Sequence, residues 1–159
     1  MRSVPFLDLK AQVEPIRHDI EEAMFRVVRG DSFVLGDAVN EFEDEFAHYC
    51  GVRYCVGVGS GTDALGIILD SLEIGGGDEV ITVAAGFPVT IAPIIQNGLI
   101  PVFVDVDPET WLMNPDLIEK IITPKTKAIL PVHLYGQPAY MDSINEISKR
   151  HGLIVIEDA

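Results

Sequence analysis

The sequence predicts an α/β fold, a mostly parallel sheet flanked by helices, and three observations carry that prediction. From Tyr54 onward, runs with strand character at Cys55–Val58, Glu79–Val83, Pro101–Val104, Lys127–Val132 and Leu153–Glu157 have segments of helical periodicity between most of them. Such alternation specifies parallel strands joined by helical crossovers. The stretch from Tyr54 to Leu65 passes from a short β-branched strand through a glycine-punctuated turn into a helix, whose apolar residues Leu65, Ile68, Leu69 and Leu72 recur at i, i+3, i+4 and i+7. Finally, 159 residues with 48% hydrophobic and 23% charged content can bury a real core in one domain.

Taken in order, the chain opens on an apolar arm, Val4-Pro5-Phe6-Leu7-Asp8-Leu9, too short to fold on itself and expected to pack on another surface such as a second subunit. A helix is predicted from about Pro15 to Arg29, with Ile16, Ile20, Ala23, Met24 and Val27 on one face. After the Gly30–Gly36 loop, a second helix begins near Asp37 and aligns Val39, Phe42, Phe46 and Tyr49, leaving an acidic run as a solvated face. Further helices are predicted near Thr90–Gln96, after the Asn114-Pro115-Asp116 start signal, and over Met141–His151 with its stop at Gly152. No repeat, linker or low-complexity tract interrupts the chain.

Composition excludes several function classes. A net charge of −14 repels phosphate backbones, so nucleic acid is not an expected partner. No apolar run is long enough for a signal peptide or a membrane span, and a cytoplasmic location is expected. Cys50 and Cys55 match neither a C-x-x-C motif nor a disulfide framework, and read as buried thiols in a reducing compartment. The four histidines are scattered without ligand spacing, so no metal site is expected.

Parallel strands align their C-terminal ends on one edge, outside which ligands bind. The residues just past those ends include Ser60-Gly61-Thr62-Asp63, Gly86-Phe87-Pro88, His133-Leu134-Tyr135-Gly136 and Asp158. The first group reads either as an anion cradle at a helix N-terminus, with Gly61 supplying the turn, or as an ordinary N-cap by Thr62 or Asp63. Asp158, at the tip of an apolar strand, either meets a cationic ring nitrogen, as pyridoxal phosphate chemistry requires, or caps a following helix. Phe87 can stack on a flat ring or belong to the core. His133 is a second-tier candidate, more simply structural. Gly57-Val58-Gly59-Ser60-Gly61 lacks the third glycine of a dinucleotide fingerprint, and no acidic residue closes the second strand.

Eight ordered blocks carry a wider resemblance: P-F-L-D-L at 5–9, F-V-L-G at 33–36, S-G-T-D-A-L at 60–65, G-D-E-V-I at 77–81, G-F-P-V-T at 86–90, P-V-F-V-D-V-D at 101–107, H-L-Y-G-Q at 133–137 and I-E-D-A at 156–159. Together they resemble the N-terminal part of a DegT/StrS-type sugar aminotransferase, a fold-type I enzyme dependent on pyridoxal 5'-phosphate. The resemblance implies that residues 1–159 are part of the large domain, with the C-terminal part absent. It implies that Ser60, Gly61, Thr62 and Asp63 hold the cofactor phosphate, that Phe87 covers the ring, and that Asp158 pairs with the pyridinium nitrogen. It further implies a homodimer, an amino-acid donor such as glutamate, and a nucleotide-linked keto-sugar acceptor.

The lysine that bonds the cofactor in this family lies beyond the I-E-D-A block, and Lys10, Lys120, Lys125, Lys127 and Lys149 are badly placed to replace it. The chain is therefore expected to be a truncated copy without turnover of its own. Two alternatives remain: a sugar dehydratase of the same family, using the aminated cofactor with histidine in place of that lysine, and a non-catalytic homologue or inactive fragment.

Overall fold

A computed structural model describes residues 4–159, which divide into two compact units, one through Gly57 and one of Val58–Ala159.

In the first unit, Asp8 caps a short helix α1 (Leu9–Val13) by accepting from the Ala11 amide at 3.0 Å, so the end of the predicted arm is helical. A single 3-10 turn at Glu14–Ile16 carries Pro15 into α2 (Arg17–Arg29). Helix α3 (Asp37–Cys50) starts where predicted and ends on Gly51, in the left-handed conformation at φ 67°. Phe42, Phe46 and Tyr49 do share a stripe, with ring centroids 5.5 and 6.2 Å apart, yet all three remain solvent-accessible within this chain. Met24, Val27, Ala38 and Phe42 line an open groove between α2 and α3. Cys50 is exposed and Cys55 half-buried, correcting the expectation of two buried thiols: Cys50 ends a helix whose only buried residue is Ala47.

The second unit holds the sheet. Helix α4 (Gly61–Ser71) precedes β1 (Glu79–Val83), α5 (Pro88–Gln96), β2 (Ile100–Val104), the short α6 (Pro115–Ile118), β3 (Thr126–Ile129), α7 (Met141–His151) and β4 (Ile154–Val155). The four strands are all parallel, in the order β2-β1-β3-β4. The predicted strand at Cys55–Val58 is absent. A β-branched run becomes a strand only where a neighbour takes up its amides and carbonyls, and among the described residues the one hydrogen bond found here is Gly57 N–H to Glu43 Oε1 at 2.7 Å. β3 and β4 are shorter than predicted because Pro131 offers no N–H to a ladder. Pairing nevertheless continues past it, through Asp158 N–H to Pro131 O (3.1 Å) and His133 N–H to Asp158 O (2.9 Å).

The core is Val80, Ile81 and Val83 of β1, Ala128 and Ile129 of β3, and the helix residues Leu65, Leu69, Ile94, Ile144 and Ile147 packed around them. The right-handed rule for crossovers places α5 and α7 on opposite faces; α4 packs beside α5, and α6 beside α7. The connection from β1 leads to β2 on one side and that from β3 to β4 on the other. The C-terminal ends of β1 and β3 therefore flank the point where the winding reverses, which is where an open parallel sheet leaves a crevice.

Candidate active site

Three elements bring the predicted residues to this edge. The connection after α4 feeds the start of β1, so α4 runs back along the sheet and its first turn lies at the C-terminal edge of the strands. Its N-cap is Ser60, not Thr62 or Asp63: Ser60 Oγ accepts from the Asp63 amide at 3.1 Å and donates to Asp63 Oδ2 at 2.9 Å. The amides of Gly61 and Thr62 have no hydrogen-bond partner among the described residues and carry the positive end of the helix dipole. Gly61 adopts no positive φ; a Cβ there would meet no atom within 4 Å, so the space over this turn is open. Gly59 is more constrained, since a Cβ on it would fall 2.8 Å from Asp63 Oδ2.

Phe87 is the N-cap of α5 and is 69% exposed, so it lies outside the core formed by the described residues. One turn further on, Thr90 is 2% exposed and donates its hydroxyl to Asp158 Oδ2 at 2.5 Å. Asp158 is half-buried, and its other oxygen, Oδ1, accepts no hydrogen bond from the described residues. Phe87 and Asp158 are thus joined through one helical turn, while no hydrogen bond links either to the Ser60–Asp63 cluster. The sequence reading missed Thr90. Its one visible signal is a hydroxyl three residues after Phe87 on a helix that is otherwise almost entirely apolar.

His133 is structural. Its Nδ1 accepts the Ala139 amide at 2.9 Å, which leaves the ring proton on Nε2 to be donated to Glu157 at 2.9 Å. With 12% of its side chain exposed, both nitrogens are spent on holding the loop after β3 against the end of β4. The lysines lie where the sequence suggested or close to it: Lys125 and Lys127 at the start of β3, Lys120 in the turn after α6, Lys149 in the last turn of α7, and Lys10 on α1 rather than in an extended arm. Among the described residues no group of histidine, cysteine and carboxylate side chains could hold a metal ion, and no helix is long and apolar enough to cross a membrane.

Residues 14–159 match the profile of the DegT/DnrJ/EryC1/StrS aminotransferase family. The chain belongs to that family. Among its relatives, a "pleiotropic regulatory protein" of Geobacillus stearothermophilus is 47% identical over 99% of this chain and 42% of its own length. The UDP-2-acetamido-2-deoxy-3-oxo-D-glucuronate aminotransferase of Pseudomonas aeruginosa is 45% identical over 98% of this chain and 44% of its own. In a crystal structure of S. venezuelae DesV with a ketimine intermediate, 43% of that chain superposes on 100% of this one with a TM-score of 0.96 at 45% identity. An E. coli GDP-4-keto-6-deoxy-D-mannose-3-dehydratase with bound hydrated PLP is more distant, with a TM-score of 0.82 at 32% identity over 87% of this chain and 37% of its own. The chain thus spans less than half the length of these DegT/DnrJ/EryC1/StrS relatives.

Proposed function

We propose that this chain supplies the cofactor-holding edge of a pyridoxal phosphate-dependent aminotransferase. The enzyme moves an amino group from an amino-acid donor, expected to be glutamate, to a keto-sugar carried on a nucleoside diphosphate. It works in the cytoplasm as a homodimer, and its product serves the assembly of amino-sugar polysaccharides. The observation that carries this reading is the Asp158 carboxylate, held at the edge of a parallel sheet with one oxygen occupied by Thr90 and the other free.

The residues present fit the cofactor. The free Gly61 and Thr62 amides, under open space and at a helix N-terminus, suit a phosphate dianion without a neighbouring cation. Ser60 and Asp63 satisfy each other and hold that first turn in shape. Phe87 offers an exposed ring face for stacking, a contact that contributes about 0.5–1.5 kcal/mol beyond area burial. Asp158 can accept a hydrogen bond on Oδ1 from a proton-bearing ring nitrogen, the kind of contact that favours the protonated ring. Bound in this way, pyridoxal phosphate supplies the electron sink that lets an amino group pass to and from a carbonyl carbon.

The test is Asp158→Ala in the full-length protein. Turnover of glutamate with a nucleotide-linked keto-sugar should fall by about a hundredfold or more, the scale of losing a preorganised electrostatic contact, with the circular dichroism spectrum unchanged. Near-normal turnover would sink the assignment.

A further inference from the structure

Asp158 is held at three points. Its main chain is fixed on both sides by the extension of β3, through Asp158 N–H to Pro131 O and His133 N–H to Asp158 O. Among the described residues its side chain is fixed by Thr90 alone, which reaches across 68 residues of sequence to do so. Thr90 is 2% exposed on a helix that is otherwise almost entirely apolar, and its hydroxyl is spent on Asp158. The residue also lies one turn from Phe87, whose carbonyl accepts the Thr90 amide at 3.0 Å. A single helical turn therefore sets the positions of both the exposed ring and the carboxylate.

We propose that Thr90 is a positioning residue for the cofactor's ring nitrogen: by donating to Oδ2 it locks the rotation of the Asp158 carboxylate and presents Oδ1 as the acceptor. A carboxylate with one oxygen anchored is restricted in how it can meet a protonated ring nitrogen, and no other described residue hydrogen-bonds this side chain. The inference rests on the reading of Asp158 given above, and it predicts an effect that depends on the ring nitrogen itself.

The experiment compares pyridoxal 5'-phosphate with 1-deazapyridoxal 5'-phosphate, in which the ring nitrogen is replaced by carbon, as ligands of the full-length apoprotein. Dissociation constants are measured by calorimetry for the wild type, Thr90→Val, Thr90→Ser and Asp158→Asn. Thr90→Val should weaken binding of pyridoxal 5'-phosphate by about tenfold, the scale of a hydrogen bond to a charged group, and leave the deaza analogue unaffected. Thr90→Ser should restore the wild-type value. Equal loss of both ligands in Thr90→Val would show a packing role and overturn the proposal. So would no loss of either ligand in Thr90→Val while Asp158→Asn loses only pyridoxal 5'-phosphate, an outcome that leaves the reading of Asp158 standing. If Asp158→Asn fails to distinguish the two ligands, both the proposal and the reading beneath it fall.

Discussion

Ser60 shows how a single N-cap residue orders the start of a helix. One hydroxyl ties off the third amide of α4 and the carboxylate of Asp63, and the two amides before it are left for a ligand. Ser60→Ala should therefore lower stability by about 1 kcal/mol, the usual cost of a lost N-cap, read as a shift in the denaturant midpoint. Gly59→Ala should weaken phosphate affinity as well, because its Cβ would push Asp63 Oδ2 from a distance of 2.8 Å and unsettle the same turn; inorganic phosphate titrated into the apoprotein would measure it. Ser60, Gly61, Thr62 and Asp63 were legible as a helix start because the glycines and the apolar periodicity of α4 are contiguous in sequence, although the strand expected before them did not form. Which of them caps was not, since Ser60, Thr62 and Asp63 are all competent cap residues and only backbone geometry selects one. Thr90 was illegible for another reason: its partner is distant in sequence, and a threonine in an apolar helix looks like a packing choice.

Among elements, β1 and α7 were read to the residue, α7 from Met141 through His151 to a stop at Gly152, because periodicity and a left-handed glycine cap are both local. Its C-terminal turn is tied to the turn after α6 by Glu119, which lies 2.8 Å from His151 and 3.3 Å from Arg150. The hydrogen bond from His151, aided by the charge of Arg150, holds the Glu119 carboxyl below its ordinary range. The unfolded chain therefore binds more protons at this site, and the contribution to stability is present above the ordinary glutamate value and lost as pH falls from there through the lowered folded-state value. Glu119→Gln should flatten the acid limb of a Tm-against-pH profile and leave the neutral plateau little changed, as expected for an exposed pair. Cys55–Val58 marks the opposite case, a run with every local mark of a strand and no neighbour among the described residues to complete it.

For the molecule as a whole, stability rests on the parallel sheet of the second unit. Ile81, fully buried in β1 between β2 and β3, is the position where truncation should tell most. Ile81→Ala should cost about 2–5 kcal/mol, measured by chemical denaturation of the full-length protein. By itself the sequence determined the α/β class, the order of helices and strands from β1 onward, and the set of loops that gather at one sheet edge. Those follow from periodicity, cap residues and the geometry of parallel strands, all of which act over a few residues or by topology alone. Tertiary structure decided the rest: the strand order and hence the reversal between β1 and β3, the exclusion of Cys55–Val58 from the sheet, the settling of His133 into a structural clasp, and the anchoring of Asp158 by Thr90. Each of these depends on which backbone or side-chain group arrives opposite which, and hydrogen bonds between residues far apart in the chain leave no periodic trace in it.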